Sequence, residues 1–171
     1  MKLMVKIFIG ILAILAIIVS GLVWKENHVG RLDGIGDVKL GMREVDVTVA
    51  YGRKADCDVV ESPTQKIWAF DYLHSSCDTQ VFLESNDDKE FRVTRVCSRF
   101  SPSKKLSSVY EEKELVEKIG DPSSISISKD GFSKISNFED NNISVDSRGG
   151  TITQWCVTKS PLEYKEAYKA G

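Results

Sequence analysis

Few residues of this chain combine into a recognisable catalytic pattern. His74 is followed by Ser75, Ser76 and Asp78, the composition of a Ser-His-Asp triad. Neighbours in sequence rarely reach triad geometry, and no Gly-x-Ser-x-Gly turn is present to expose a nucleophile. His28, the other histidine, stands alone. Glu84, Asp87, Asp88 and Glu90 crowd one short stretch without the spacing of an EF-hand loop, so they read as a solvated turn and not a calcium site. Gly34-Ile35-Gly36 is too short to cradle a phosphate. Cys57, Cys77, Cys97 and Cys156 include no Cys-x-x-Cys pair and have no histidine cluster beside them. They read as two disulfides, with three connectivities open. The expectation is a non-enzyme that needs no cofactor and no metal. Lys and Arg number 23 against 25 Asp and Glu, a net charge of −2. That leaves no basic excess for phosphates, so nucleic acid is excluded as a partner class.

The aromatic residues say more. Trp68, Phe70 and Tyr72 alternate, so one face of a strand would carry all three. In the next strand Val81 and Leu83 face one way, while Phe82 and Glu84 face the other. Val81 and Leu83 mark the covered face, which leaves Phe82 on the open one. Open sheet faces are ordinarily polar, and exposed aromatics there point to a protein-binding surface. The expected contact residues are Trp68, Tyr72, Phe82, Glu84 and Trp155. The competing reading puts Trp68 and Phe70 in the core, because Phe138 repeats Phe70.

The elements that would position these residues begin with an apolar stretch. Residues 7–24 form an uncharged run of 18. As a helix they would span roughly 27 Å, close to a bilayer core. Lys2 and Lys6 precede the run and Trp24 and Lys25 follow it, as the positive-inside rule and an interfacial anchor would have it. Residues 1–25 are therefore expected to be a membrane anchor, or a signal peptide if cleaved. The chain would be a single-pass inner-membrane protein with its C-terminal part in the periplasm.

The rest of the chain is similar to itself. Val49–Gly52 aligns with Glu117–Gly120 at an offset of 68, and Lys66–Phe70 aligns with Lys134–Phe138 at the same offset. Gln80–Ser85 aligns with Asn142–Ser147 at 62, and Thr94–Cys97 with Thr153–Cys156 at 59. These matches give a first repeat over 34–102, a second over 103–161 and a polar tail over 162–171. In the second repeat Ser108 and Glu111 form a capping box before a helix striped by Leu115, Val116 and Ile119. Gly120 and Pro122 end that helix. Alternating strands follow near 124–128, 132–138, 142–147 and 151–157, with Asp130-Gly131 and Gly149-Gly150 as turns. The first repeat would match, with strands near 58–60, 66–73, 79–85 and 91–98. Its helix is the ambiguous piece. Val45, Val47, Val49 and Tyr51 alternate as a strand would, whereas Met42, Val45 and Val49 share one helical face. Equivalence to the second copy decides for a helix.

The stretch Leu40-Gly41-Met42-Arg43-x-x-x-Val47, followed by Gly52 and Cys57, resembles the opening of a repeat in the β-lactamase inhibitor protein family. The same unit occurs as a single copy in small outer-membrane assembly lipoproteins. The resemblance covers most of 36–157. It lacks a lipid-carrying cysteine, and the second copy lacks the Gly-Met start. It implies an α+β fold of two tandem helix-plus-antiparallel-sheet repeats whose sheets form a concave protein-binding face. It also implies a Cys57–Cys77 bridge, which leaves Cys97 for Cys156. The functional expectation is a non-catalytic, membrane-anchored periplasmic protein-binding module, an inhibitor or immunity factor of an enzyme acting in the envelope. The alternative is a structural component that scaffolds an envelope assembly through the anchor or the tail.

Overall fold

A computed structural model of the chain describes residues 10–20, 29–52, 55, 57–70, 78–85 and 90–164, with the side chains of 57–61 excepted. The first described element, α1, is helical over residues 10–20. Among the described residues no helix is long and apolar enough to cross a membrane. That finding overturns the transmembrane helix in the expected fold class and the inner-membrane, single-pass placement built on residues 7–24. Residues 7–9 and 21–24 lie outside the described residues.

What the described residues form is an α+β fold dominated by antiparallel sheet. A hairpin of β1 (Gly34–Ile35) and β2 (Val38–Lys39) leads into α2 (Glu44–Tyr51). Four strands follow: β3 (Cys57–Ser62), β4 (Gln65–Phe70), β5 (Thr79–Glu84) and β6 (Arg92–Ser98). After a 3-10 turn (Lys104–Leu106) comes α3 (Glu112–Ile119), then β7 (Ser124–Ile127), β8 (Ser133–Phe138), β9 (Ile143–Arg148) and β10 (Thr151–Thr158). Strands β3 to β10 make one eight-stranded sheet in the order β3-β4-β5-β6-β10-β9-β8-β7. The two runs of four therefore meet at β6 and β10 in the middle of a single sheet.

The register corrects one alignment. Val81 lies opposite Trp68 and Val96, as Val145 lies opposite Ser136 and Trp155. The counterpart of Val145 is thus Val81, two residues away from the match read at an offset of 62. Strand side chains repeat every two residues, so the faces are unchanged.

Helices, turns and the N-terminal segment cover one face of the sheet. The apolar residues beneath them fall into two clusters. One gathers Val47, Trp68, Phe70, Val81, Leu83 and Val96; the other gathers Leu115, Phe138, Ile143, Val145 and Trp155. In α2 the buried residue is Val47, fully enclosed, with Ala50 and Tyr51 packed against the same cluster. Val45 and Val49, expected on the inner face, point outward, Val49 being 75% exposed. In α3 the expected Ser108–Glu111 capping box is replaced by one further along. Glu111 is the N-cap, and Glu114 accepts hydrogen bonds from the amides of Tyr110 and Glu111. The chain from Val29 to Met42 bridges the two clusters. Val29 and Leu32 pack on the second, while Asn141 and Asn142 donate to the carbonyls of Val29 and Leu32 at 2.6 and 2.7 Å. The hairpin then reaches the first cluster through Val38. Gly34 is required there, since a Cβ would meet the Val38 carbonyl at 1.9 Å.

Helices α2 and α3 are tied to the sheet by equivalent ion pairs. Glu44 in α2 meets Lys66 of β4 at 2.9 Å, and Glu112 in α3 meets Lys134 of β8 at 2.7 Å. At the centre of the sheet Cys97 and Cys156, a directly opposed pair on β6 and β10, form a disulfide. It closes a loop of 59 residues, worth about 4 kcal/mol in the chain-entropy account. Cys77 lies outside the described residues and Cys57 is placed by its backbone alone, so that second pairing stands outside the description. Replacing both Cys97 and Cys156 by alanine is expected to lower the unfolding free energy by about 3–4 kcal/mol in urea titrations of the oxidised chain. An unchanged midpoint would show that the bridge does not constrain the unfolded chain.

Candidate functional site

The face of the sheet away from the helices is where a site can be built. Along β5 and β6 this face carries Gln80, Phe82, Arg95 and Cys97, because Phe82 opposes Arg95 and Gln80 opposes Cys97. A bulge sits between these pairs and Leu83–Val93. Simple alternation from Val93 would send Arg95 into the core and Val96 outward. The extra residue, Thr94, reverses that, burying Val96 and turning Arg95 to the open face. The Arg95 guanidinium stacks on the Phe82 ring at 3.5 Å from its centroid, a cation–π contact. Ile67 of β4 lies opposite Phe82, and Gln65 donates to Glu84 at 3.3 Å beside it.

Gln65, Ile67, Phe82, Glu84 and Arg95 floor a cleft of about 650 Å³. One wall is the stretch from Thr158 to Glu163, which leaves β10 and turns back across the open face. That strap is fastened to the second half of the sheet. The buried side-chain amide of Asn137 donates to the Leu162 carbonyl at 3.0 Å and accepts from the Leu162 amide at 2.9 Å. Ser144 donates to Asn137 at 2.6 Å and holds its orientation. The Tyr164 hydroxyl donates to Asp146 at 2.8 Å. Burial, then the Asp146 carboxylate, pushes the Tyr164 phenol up to about 12. The strap thus covers the open face of β7 to β9, whereas the cleft lies over β4 to β6, of which β4 and β5 are the counterparts of β8 and β9.

The expected contact residues separate on this geometry. Phe82 and Glu84 are at the cleft, Phe82 half-buried and Glu84 exposed. Trp68 is not on the open face: it opposes Val81, lies 8% exposed in the core beneath α2, and contacts Phe70 edge-on. Trp155 is likewise corrected, being 3% exposed in the second cluster opposite Val145. Both assignments fail because a residue directly opposite a core valine shares its face. Tyr72 lies outside the described residues, as do His28, His74, Ser75, Ser76, Asp87, Asp88 and the tail from 165. Sequence reasoning does not reach Arg95, Ile67, Gln65 or the strap. The bulge hides Arg95, and the strap has no periodicity to reveal it.

Other candidate groups are structural. Asp78 is buried and paired with Arg99 at 3.3 Å. Among the described residues no group of three His, Cys, Asp or Glu is placed to hold a metal ion. The most enclosed acid is Glu112, which accepts from Lys134, from Ser136 and, at 3.0 Å, from Ser147 beneath α3. Burial alone would raise its pKa. The hydrogen bonds from Lys134, Ser136 and Ser147 outweigh burial and hold the carboxyl below the usual glutamate range.

Comparisons with known proteins add little. No family model matches the chain, and no curated protein matches it. One solved structure is similar: a DUF4309 family protein, YjgB, from Bacillus subtilis, at 8% identity and a TM-score of 0.44, over 69% of this chain and 78% of that one.

The Glu112 geometry predicts a pH dependence. A carboxyl whose folded-state pKa is lowered contributes stability that is complete above its unfolded-state pKa and is lost as pH falls through the folded-state value. Stability should therefore fall on acidification below about pH 4–5, and Glu112→Gln should flatten part of that acid limb while costing about 1–3 kcal/mol at neutral pH. Urea midpoints measured across the acid range in both proteins check this, and parallel curves would contradict it.

Proposed function

We propose that the chain is a non-catalytic protein-binding module whose contact surface is the cleft on the open face of β4 to β6. The observation that carries this reading is the Phe82–Arg95 stack on the floor of an open cleft, flanked by Ile67 and by the hydrogen-bonded Gln65–Glu84 pair. Aromatic rings and arginine dominate protein-binding hot spots, because each contributes a large contact area together with directional polarity. The stack is formed before any partner arrives, so less side-chain freedom is lost on binding. The resemblance of the Leu40–Val47 stretch to the β-lactamase inhibitor protein family supports the same reading. Within it the partner is an enzyme, and this chain acts as its inhibitor or immunity factor.

The test is capture of a partner by the oxidised chain, followed by titration with cleft variants. Phe82→Ala together with Arg95→Ala should weaken binding about 30-fold or more, since hot-spot truncations cost about 2 kcal/mol and upward. Lys113→Ala, on the exposed side of α3, should leave affinity unchanged. A partner bound equally well by the double variant would place the contact surface elsewhere.

A further inference from the structure

The second half of the sheet carries, at the counterpart of the cleft floor, a side chain already in place. Extending the correspondence of Val81 with Val145 across the sheet makes Ile67 the counterpart of Ile135, Gln65 that of Ser133 and Phe82 that of Asp146. On the open face Ile135 lies between Ser126 of β7 and Asp146 of β9, directly opposite each. Tyr164 of the strap joins these two neighbours. Its amide donates to the Ser126 hydroxyl at 3.2 Å and its own hydroxyl donates to Asp146 at 2.8 Å. Strands β7 and β9 are two strand spacings apart, about 10 Å, so the ring between the two contacts crosses Ile135. Ile135 is accordingly buried, at 9% exposure, although it belongs to neither apolar cluster beneath the helices. Ser133 faces the same phenol oxygen.

Ile67, by contrast, is half-buried and lines the cleft. Phe82, stacked against Arg95, offers ring surface where Asp146 offers a carboxylate. A carboxylate is present nonetheless in Glu84, two residues along on the same face, with one oxygen accepting from Gln65. Among the described residues the charges around the cleft balance. Lys66 and Arg92 are paired with Glu44 and Glu90, and Arg95 and Lys159 stand against Glu84 and Glu163. A neutral ring with a hydroxyl donor suits such a site better than an ion. Resting on the reading of this cleft as the contact surface, we propose that it receives a tyrosine side chain of the partner protein, with the ring over Ile67 and Phe82 and the hydroxyl donating to Glu84. The body of such a ring buries apolar area while its hydroxyl keeps a polar partner, which is why tyrosine recurs at binding hot spots.

p-Cresol, the tyrosine side chain as a free molecule, tests this by amide NMR of the full oxidised chain. It should bind with a Kd on the order of 1 mM and shift the amides of Gln65, Ile67, Phe82 and Arg95. 4-Methylanisole, whose oxygen cannot donate, should bind about 10-fold more weakly. Glu84→Ala should lower the p-cresol affinity to that of 4-methylanisole and leave the latter unchanged. No shift at the four amides, or equal affinities of the wild-type chain for the two probes, would overturn the proposal. Tyr168→Ala, in the tail beyond the described residues, should leave p-cresol binding unchanged; tighter binding would make the chain's own tail the occupant and overturn it too. Partner capture that depends on Phe82 and Arg95 while p-cresol leaves the four amides unmoved would contradict the tyrosine and keep the proposed function. p-Cresol binding at the cleft beside partner capture indifferent to Phe82 and Arg95 would contradict the proposed function instead.

Discussion

Strands β6 and β10 pair in the middle of the sheet, and the rest of the structure depends on that pairing. Each half on its own is a helix and four strands with one long unprotected edge, and each would bury only half of the apolar surface. Joining them removes both inner edges at once. The disulfide between Cys97 and Cys156 holds the seam at its centre, and the segment from Val29 to Val38 spans it on the helix side. The repeated ion pairs, Glu44 with Lys66 and Glu112 with Lys134, then fix each helix over its own four strands.

The halves diverge where function is to be found. In the second half Asn137 and Asp146 receive the chain's own strap, whose Leu162 and Tyr164 cover the open face. At the positions equivalent by register, the first half has Ala69 and Phe82. Ala69 cannot clamp a backbone, and Phe82 is engaged by Arg95 instead. A duplicated framework thus presents one sealed face and one open cleft. Beneath the sheet the same divergence appears in the core, where Trp68 fills the place that Ser136 takes beside Glu112. One half is closed by aromatic packing and the other by a hydrogen-bonded carboxylate.

Much of this is legible in the sequence. Alternation locates the strands of both repeats, because the helix-covered face of the sheet imposes a period of two on the apolar residues. The match between copies settles α2 as a helix against its own strand-like alternation. It does not settle which side of α2 faces inward, since valines occupy both sides and the packing against β4 and β5 decides. The aromatic site is half legible. The flanking core residues Val81 and Leu83 assign Phe82 and Glu84 to the open face. Without the cross-strand register, Trp68 and Trp155 are misassigned. Arg95 is beyond reach because one bulged residue, Thr94, inverts the pattern of β6. The expected membrane helix rests on hydropathy alone, and among the described residues no helix is long and apolar enough to cross a membrane.

Native-state hydrogen exchange tests the central claim, that the two halves are one sheet built on the β6–β10 seam. The amides of β6 and β10 should be the slowest in the chain, and β4, β5, β8 and β9 should open with them at the global unfolding free energy. If instead the amides of β3 to β6 and those of β7 to β10 exchange with two separate free energies, the halves unfold independently. The seam would then be a contact between two domains and not the interaction on which the fold depends.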